Sequence, residues 1–159
     1  MKTKEKIIKA VTADGAAIKS LVDVNAQRGL MLPCSLFWIY ENIRNFWLVK
    51  EEKRVIGCAA LQVYWEDLAE IRSLAVEETK RKEGWGRLLV EKCLEEAAAL
   101  GLGRVFTLTF IPEFFKKLGF SGIDKKELPH KIWKDCFNCP HFPNCREVAM
   151  LYRIDKNNQ

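Results

Sequence analysis

The stretch from Asp67 to Leu94, DLAEIRSLAVEETKRKEGWGRLLVEKCL, constrains the fold more than any other part of the chain. It opens as a strand: Leu68, Ala69, Ile71, Leu74, Ala75 and Val76 form an apolar run interrupted by Glu70, Arg72 and Ser73. A charged turn follows, then Arg81-Lys82-Glu83-Gly84-Trp85-Gly86, then a helix. In that helix Leu88, Leu89, Val90, Cys93, Leu94, Ala97 and Ala98 recur at spacings of three and four, the mark of one apolar face. Glycines at the mouth of a helix let an anion approach bare backbone N–H groups, and the helix dipole favours negative charge there. Arg81, Lys82 and Arg87 add mobile positive charge beside those amides, so a pyrophosphate suits the turn. Taken alone, the same residues also describe a tight turn with a solvated basic edge. Two other phosphate patterns are absent: there is no G-x-x-x-x-G-K-[ST], and no G-x-G-x-x-G directly after a strand.

A chain of 159 residues predicts a single domain, residues 1–159, large enough to bury its own core. At 48% hydrophobic and 30% charged it has the composition of an ordinary globule. No apolar run approaches the ~20 residues of a membrane span, so no membrane partner is expected. The first residues, MKTKEKIIKAVTADG, are basic but lack the apolar core of a signal peptide. A cytoplasmic location is therefore expected, with the six cysteines reduced. The net charge of +5 suits anionic small molecules as well as nucleic acid and does not separate them.

Ile7 to Val11 predicts a first strand. Thr12 or Asp14 can cap the next helix, whose Ile18, Leu21, Val22 and Ala26 share a face before Gly29 stops it. After Pro33, Ser35 can cap a second helix carrying Leu36, Ile39, Tyr40 and Ile43. Residues 46–49 and 55–63 predict two strands joined by the charged turn Lys50 to Arg54. Gly101 and Gly103 end the helix after the glycine turn, residues 105–110 form a strand, Pro112 starts a short helix through Leu118, and residues 148–154 supply a last strand. The order β-α-α-β-β-β-α-β-α-β predicts an α/β (α+β) fold, a mixed twisted sheet of roughly six to seven strands with helices on both faces. A cysteine-containing insertion over about residues 126–146 precedes the last strand.

The pattern Leu74-Ala75-Val76 followed by Arg81-x-x-Gly84-x-Gly86 resembles the acetyl-CoA signature of the GCN5-related N-acetyltransferases. Phe114-Phe115-Lys116-Lys117-Leu118-Gly119-Phe120 is similar to that family's helix–turn ending in Gly-Phe. The resemblance implies acetyl-CoA as co-substrate and a central strand pair that splays apart to admit its pantetheine arm. It further implies a backbone amide near Leu74 that stabilises negative charge on the thioester oxygen. The cofactor-binding set it implies is Leu74, Ala75, Val76, Arg81, Lys82, Gly84, Trp85, Gly86 and Arg87, with Thr109, Phe110 and Phe115 on the opposite wall.

An amine at neutral pH is mostly ammonium, so transfer needs a base. Glu70 is the candidate, because it interrupts an apolar strand where burial makes a carboxylate more basic. Arg72, two residues on and on the same face, can pair with it or bind an anionic substrate. Equally, the two describe a surface ion pair on a half-exposed strand. Many family members carry Tyr where Phe115 stands; Tyr64 and Tyr40 are conjectural substitutes, and no general acid is assigned.

SLFWIYENIRNF, GCAALQVYWEDLAEIRSLAV and RVFTLTFIPEFFKKLGF together resemble the short-form N-acetylglutamate synthases, over roughly residues 5–155. That implies acetylation of glutamate, or in some members glutamine, to begin arginine synthesis. Arg72, Arg146 and Lys131 are the expected partners for substrate carboxylates. Cys34 is a departure, standing where relatives often carry Arg or Lys. No amino-acid-kinase domain is present, so the arginine site carried by that domain in longer synthases is expected to be missing. A homodimer is left open.

Cys136, Cys139 and Cys145, with His141 and His130, have the ligand inventory of a structural zinc site. They equally describe small reduced residues in a loop over the active site, and no metal is assigned. Besides the amino-acid acetyltransferase, two alternatives remain. One is a relative acting on a peptide or another small amine. The other is a non-catalytic CoA-binding or zinc-stabilised module contacting nucleic acid, disfavoured because the basic residues are scattered among acids.

Overall fold

Segments rich in Val, Ile, Leu and aromatic residues build one seven-stranded sheet. The computed structural model describes residues 6–128 and 146–155. Its strands are β1 (Ile7–Lys9), β2 (Phe46–Glu51), β3 (Arg54–Trp65), β4 (Leu68–Val76), β5 (Arg104–Thr109), β6 (Ser121–Gly122) and β7 (Val148–Arg153). The helices are α1 (Gly15–Gln27), α2 (Leu36–Glu41), α3 (Trp85–Ala99) and α4 (Pro112–Lys116). The spatial order is β1-β2-β3-β4-β5-β7-β6. Every pairing is antiparallel except β4 with β5. A parallel pair needs a crossover, and α3 supplies it.

The apolar stripe of α3 packs Leu89, Val90 and Cys93 against Ile56, Ala59, Leu61, Ala69 and Ile71 of the sheet. A second core gathers Ile18, Leu21 and Val22 of α1 and Ile39 of α2 with Phe46, Leu48, Cys58, Ala60 and Ala75. Alternation along β3 and β4 sends successive side chains into these two layers, so helices cover both faces. A smaller cluster of Leu68, Phe106, Leu128, Ala149 and Leu151 fills the β5–β7 side.

The element order follows the periodicities of the sequence, with small differences at the ends. Ser35 caps α2 as expected, its Oγ accepting the Trp38 N–H at 3.0 Å. Gly29 and Gly101 follow α1 and α3 with φ of +74° and +81°, conformations that favour glycine. Asp14 stands at the N-cap position of α1 but its side chain makes no cap hydrogen bond there, and Thr12 lies ahead of it. Residues Thr12–Asp14 form a 3-10 turn, and the Asp14 carboxylate accepts the Val11 N–H at 2.9 Å and pairs with Lys50 at 2.7 Å. The short strand β6 carries only Ser-Gly, which has no strand signal, and exists through its pairing with Met150 and Leu151. Among the described residues no helix is long and apolar enough to cross a membrane.

Leu89 is fully buried between α3 and the sheet. Leu89→Ala is expected to cost about 2–5 kcal/mol of stability in urea titration, and a loss under about 1 kcal/mol would mean that α3 is not packed here.

Candidate active site

Parallel pairing between β4 and β5 lasts three residues, Leu68↔Arg104, Ala69↔Val105 and Glu70↔Phe106, and then stops. Thr107 Oγ1 donates to the Ile71 carbonyl at 2.8 Å, and beyond it no β5 residue pairs with Arg72–Val76. A cleft opens there, lined by residues 70–74, 107–111, Phe115, the 30–34 loop and Glu147.

The β4 wall is bulged. Cys58 pairs with Ala75 and Ala60 with Arg72, so Ser73 and Leu74 together oppose Ala59. Ser73 takes a φ of +57°, its carbonyl accepts the Cys58 thiol at 3.3 Å, and its Oγ lies 4.0 Å from Cys34 Sγ. The bulge breaks strict alternation, so Leu74 lines the cleft although the adjacent Ser73 does too. Burial pushes the Cys34 thiol up from its ordinary value, with the Ser73 hydrogen bond, Arg72 and Lys19 only partly opposing that. Cys58 and Cys93 are fully buried and their thiols are likewise pushed up by desolvation, so none of the three has thiolate character.

Past β4 the chain reaches α3 through Gly84, which takes a φ of +93° and, having no side chain, leaves the helix without a side-chain cap. Open space surrounds the missing Gly84 Cβ, whereas a Cβ on Gly86 would meet Phe114 at 3.4 Å and Val76 Cγ2 at 3.9 Å, ordinary packing distances. The first amides of α3 are therefore approachable by an anion. This uncapped helix start, together with the unpaired β4 edge, fits the pyrophosphate and the amide-bearing arm of acetyl-CoA.

At the floor of the cleft lies a buried polar cluster. Glu70, 3% exposed, accepts the Tyr64 hydroxyl on Oε1 at 3.1 Å. Arg72 Nη1 lies 3.9 Å from that same oxygen and donates to Gln62 Oε1 at 3.1 Å. The Arg72 guanidinium stacks on Trp38, 4.1 Å from the ring centroid. Glu70 and Arg72 thus meet inside the fold, and the alternative of an exposed surface pair is excluded for Glu70. Chemically, the cluster offers a carboxylate to take a proton and a guanidinium to hold an anion, side by side.

The expected cofactor residues divide. Leu74, Thr109, Phe110 and Phe115 line the cleft, although Phe115 also belongs to the α3 core. Ala75 is buried against α1 and Val76 packs on the α3 side. The Trp85 side chain is 6% exposed and sits in the core, so Trp85 offers an anion only its backbone N–H at the start of α3. Arg81 is not a mobile cation, because its guanidinium reaches back to the buried Asn25 and to the Val76 carbonyl. Arg87 pairs with Glu91 one turn on, at 2.8 Å. Lys82 is exposed. Arg146 is exposed and does not line the cleft, whereas its neighbour Glu147 does. Lys131 and the five Cys and His residues considered for zinc lie outside the described residues. Among the described residues no group of His, Cys, Asp and Glu is placed to hold a metal ion. Tyr40 packs on Gly15 at the start of α1, away from the cleft; Tyr64 is the tyrosine that reaches Glu70. Gln62 and Trp38 escaped sequence analysis. The one signal for Gln62 was an amide inside the apolar run of β3.

Comparison with known proteins agrees with this geometry. Residues 23–120 match the model of the acetyltransferase (GNAT) family. An uncharacterized N-acetyltransferase of Chlorobaculum tepidum is 45% identical over 139 residues, covering 87% of this chain and 90% of the relative. An amino-acid acetyltransferase of Mycobacterium tuberculosis is 41% identical over 130 residues, 80% of this chain and 74% of the relative. A Mycobacterium tuberculosis protein solved in complex with CoA and NLQ superposes with a TM-score of 0.80 at 33% identity, covering 94% of this chain and 99% of that one. N-acetylglutamate synthase of Neisseria gonorrhoeae, complexed with coenzyme A and N-acetyl-glutamate, gives a TM-score of 0.84 at 26% identity, covering 94% of this chain and 35% of that one. The chain belongs to the GNAT acetyltransferase family. It is an N-acetyltransferase with acetyl-CoA as its co-substrate.

Gly86→Val places a branched side chain at the mouth of α3, where its Cβ meets Phe114 and Val76. It is expected to weaken acetyl-CoA binding in calorimetry at least about tenfold, near 1.4 kcal/mol, at a temperature where a melting curve shows the variant folded. An unchanged Kd would mean that the turn holds no pyrophosphate.

Proposed function

We propose that this protein transfers the acetyl group of acetyl-CoA to the α-amine of L-glutamate or L-glutamine by direct attack. The observation that carries this reading is the buried Glu70 beside Arg72, at the point where β4 leaves β5. Acetyl-CoA supplies the activated acyl group as a thioester. Glu70 takes the proton from the acceptor ammonium, and Tyr64 holds its carboxylate in place. Arg72 binds the acceptor carboxylate, its guanidinium steadied on Trp38. The backbone amide at Leu74 stabilises negative charge on the reacting carbonyl oxygen. Arg146 and Lys131 are the candidates for a second substrate carboxylate. No side chain is assigned as general acid, since a CoA thiolate leaves readily.

The amino-acid acetyltransferase of Mycobacterium tuberculosis and the Neisseria gonorrhoeae structure with N-acetyl-glutamate support an amino-acid acceptor. A place at the first step of arginine biosynthesis, in the cytoplasm, follows from that assignment. The second reading, a peptide or other small amine as acceptor, is favoured by one feature. The 30–34 wall presents Leu30, Met31, Leu32, Pro33 and Cys34 without a cation.

Release of CoA thiol against a panel of free amino acids, amines and short peptides separates the two. Saturation with glutamate or glutamine is expected, and acetyl-CoA binding without transfer to any free amino acid would overturn the amino-acid assignment. Glu70→Gln is expected to lower turnover at neutral pH by about tenfold or more. A variant as fast as wild type at every pH removes Glu70 from the reaction.

A further inference from the structure

Asn25 continues the buried stripe of α1 formed by Ile18, Leu21 and Val22, and is itself 4% exposed. An amide on the apolar face of a helix is costly unless both its ends find partners. Here both do. Nδ2 donates to the Leu21 carbonyl one turn back at 2.9 Å, and Oδ1 accepts from Arg81 Nη2. A guanidinium only donates, so the arginine requires this orientation of the amide. The Asn25 carbonyl is occupied as well, by the Leu30 N–H at 3.1 Å.

Arg81 in turn reaches two places. The Glu77 N–H donates to the Ile56 carbonyl of β3 at 2.8 Å, so the Val76 carbonyl, one residue back, faces the edge that β5 leaves. Arg81 Nε lies 3.4 Å from that carbonyl. One side chain thus spans from the end of β4 to α1, while its own backbone lies in the loop between β4 and α3. That loop has a costly shape. Lys82, the next residue, takes a φ of +68°, which a non-glycine residue adopts only when its surroundings impose it. Gly84 follows at +93° and leads into α3. The loop is also tied by the Arg28–Glu78, Arg54–Glu77 and Lys80–Glu51 pairs, but these lie at or near the surface, where ion pairs contribute little. Among these ties Asn25 is the buried anchor.

We infer that Asn25 is a positioning residue for acetyl-CoA: through the Arg81 fork it fixes the loop that presents the first amides of α3, and thereby sets the affinity for the pyrophosphate. This rests on the reading that the α3 turn takes that group. Arg81 then serves by its shape and not by its charge. A lysine keeps the charge but has no planar fork to hold Asn25 and Val76 together.

The test is the Kd for acetyl-CoA, by calorimetry, in Asn25→Ala, Asn25→Leu, Arg81→Lys and each Asn25 change combined with Arg81→Lys. Leucine fills the anchor with a helix-favouring apolar side chain, so one Asn25 variant that fails to fold leaves the other decisive. Acetyl-pantetheine, which has the thioester arm and no pyrophosphate, is measured by competition with acetyl-CoA. Each single variant is expected to weaken acetyl-CoA about fivefold, and a double variant no further than its worse single one. Acetyl-pantetheine changes by less than about twofold, because its contacts lie on the β4 edge. Equal losses for both donors mark a general structural defect and overturn the role. Wild-type binding in Arg81→Lys assigns that residue to charge and overturns it too. A double variant that loses the product of the two single effects does the same, since Asn25 then acts apart from Arg81. An unchanged Kd in Gly86→Val sinks the pyrophosphate reading itself. Weakened binding in Gly86→Val with wild-type binding in the Asn25 variants sinks this inference alone.

Discussion

Everything in the cleft depends on the β4–β5 ladder ending after three pairs. A parallel pair at the centre of a sheet normally satisfies its backbone groups on both sides, and an orphaned buried N–H or C=O is costly. Here β4 keeps its β3 partner and gives up β5 past Glu70, with the Thr107 hydroxyl satisfying the Ile71 carbonyl at the fork. The remaining β4 edge is held open by the Ser73 bulge and by packing of α3 below and α1 above. Backbone hydrogen-bonding capacity is thereby reserved for a ligand with amides of its own.

The two halves of the site were unequally legible, for a physical reason. The acetyl-CoA half is made of backbone: a strand edge, a left-handed Gly84 and the first turn of α3. Such a device needs glycines at fixed offsets and a change of apolar period from strand to helix, and both stand within one short stretch of sequence. The acceptor half proposed above draws on side chains from β3, β4, α2 and the 30–34 loop. Glu70 and Arg72 were legible because a charged pair interrupts an apolar strand. Gln62 and Trp38 were not, since their meeting with Arg72 depends on the β3–β4 register and on how α2 lies over the sheet.

Where side-chain surroundings differ from what the sequence suggests, the cause is the same. Arg81 and Arg87 read as free cations near phosphate because sequence shows charge but not partners. Asn25 lies on α1 and Glu91 one helical turn on, and each engages its arginine. Trp85 sits inside the glycine motif yet points into the core, since the first turn of α3 already packs against the sheet. The bulge at Ser73 carries no composition signal at all; serine in a strand is unremarkable until the register shows two residues facing one.

The aromatic plane beneath Arg72 belongs to α2, a helix of six residues. Helices that short have little stability of their own. This one is held by the Ser35 cap, by Ile39 buried in the second core, and by the edge of Trp38 against Phe46, with ring centroids 5.8 Å apart. The α3 turn, by contrast, is anchored in the largest core of the molecule. The two substrates therefore meet surfaces of different rigidity. On the proposed reading, the thioester would dock on an edge rooted in that core, and the amine would be recognised by a wall whose aromatic plane is carried by fewer than two helical turns.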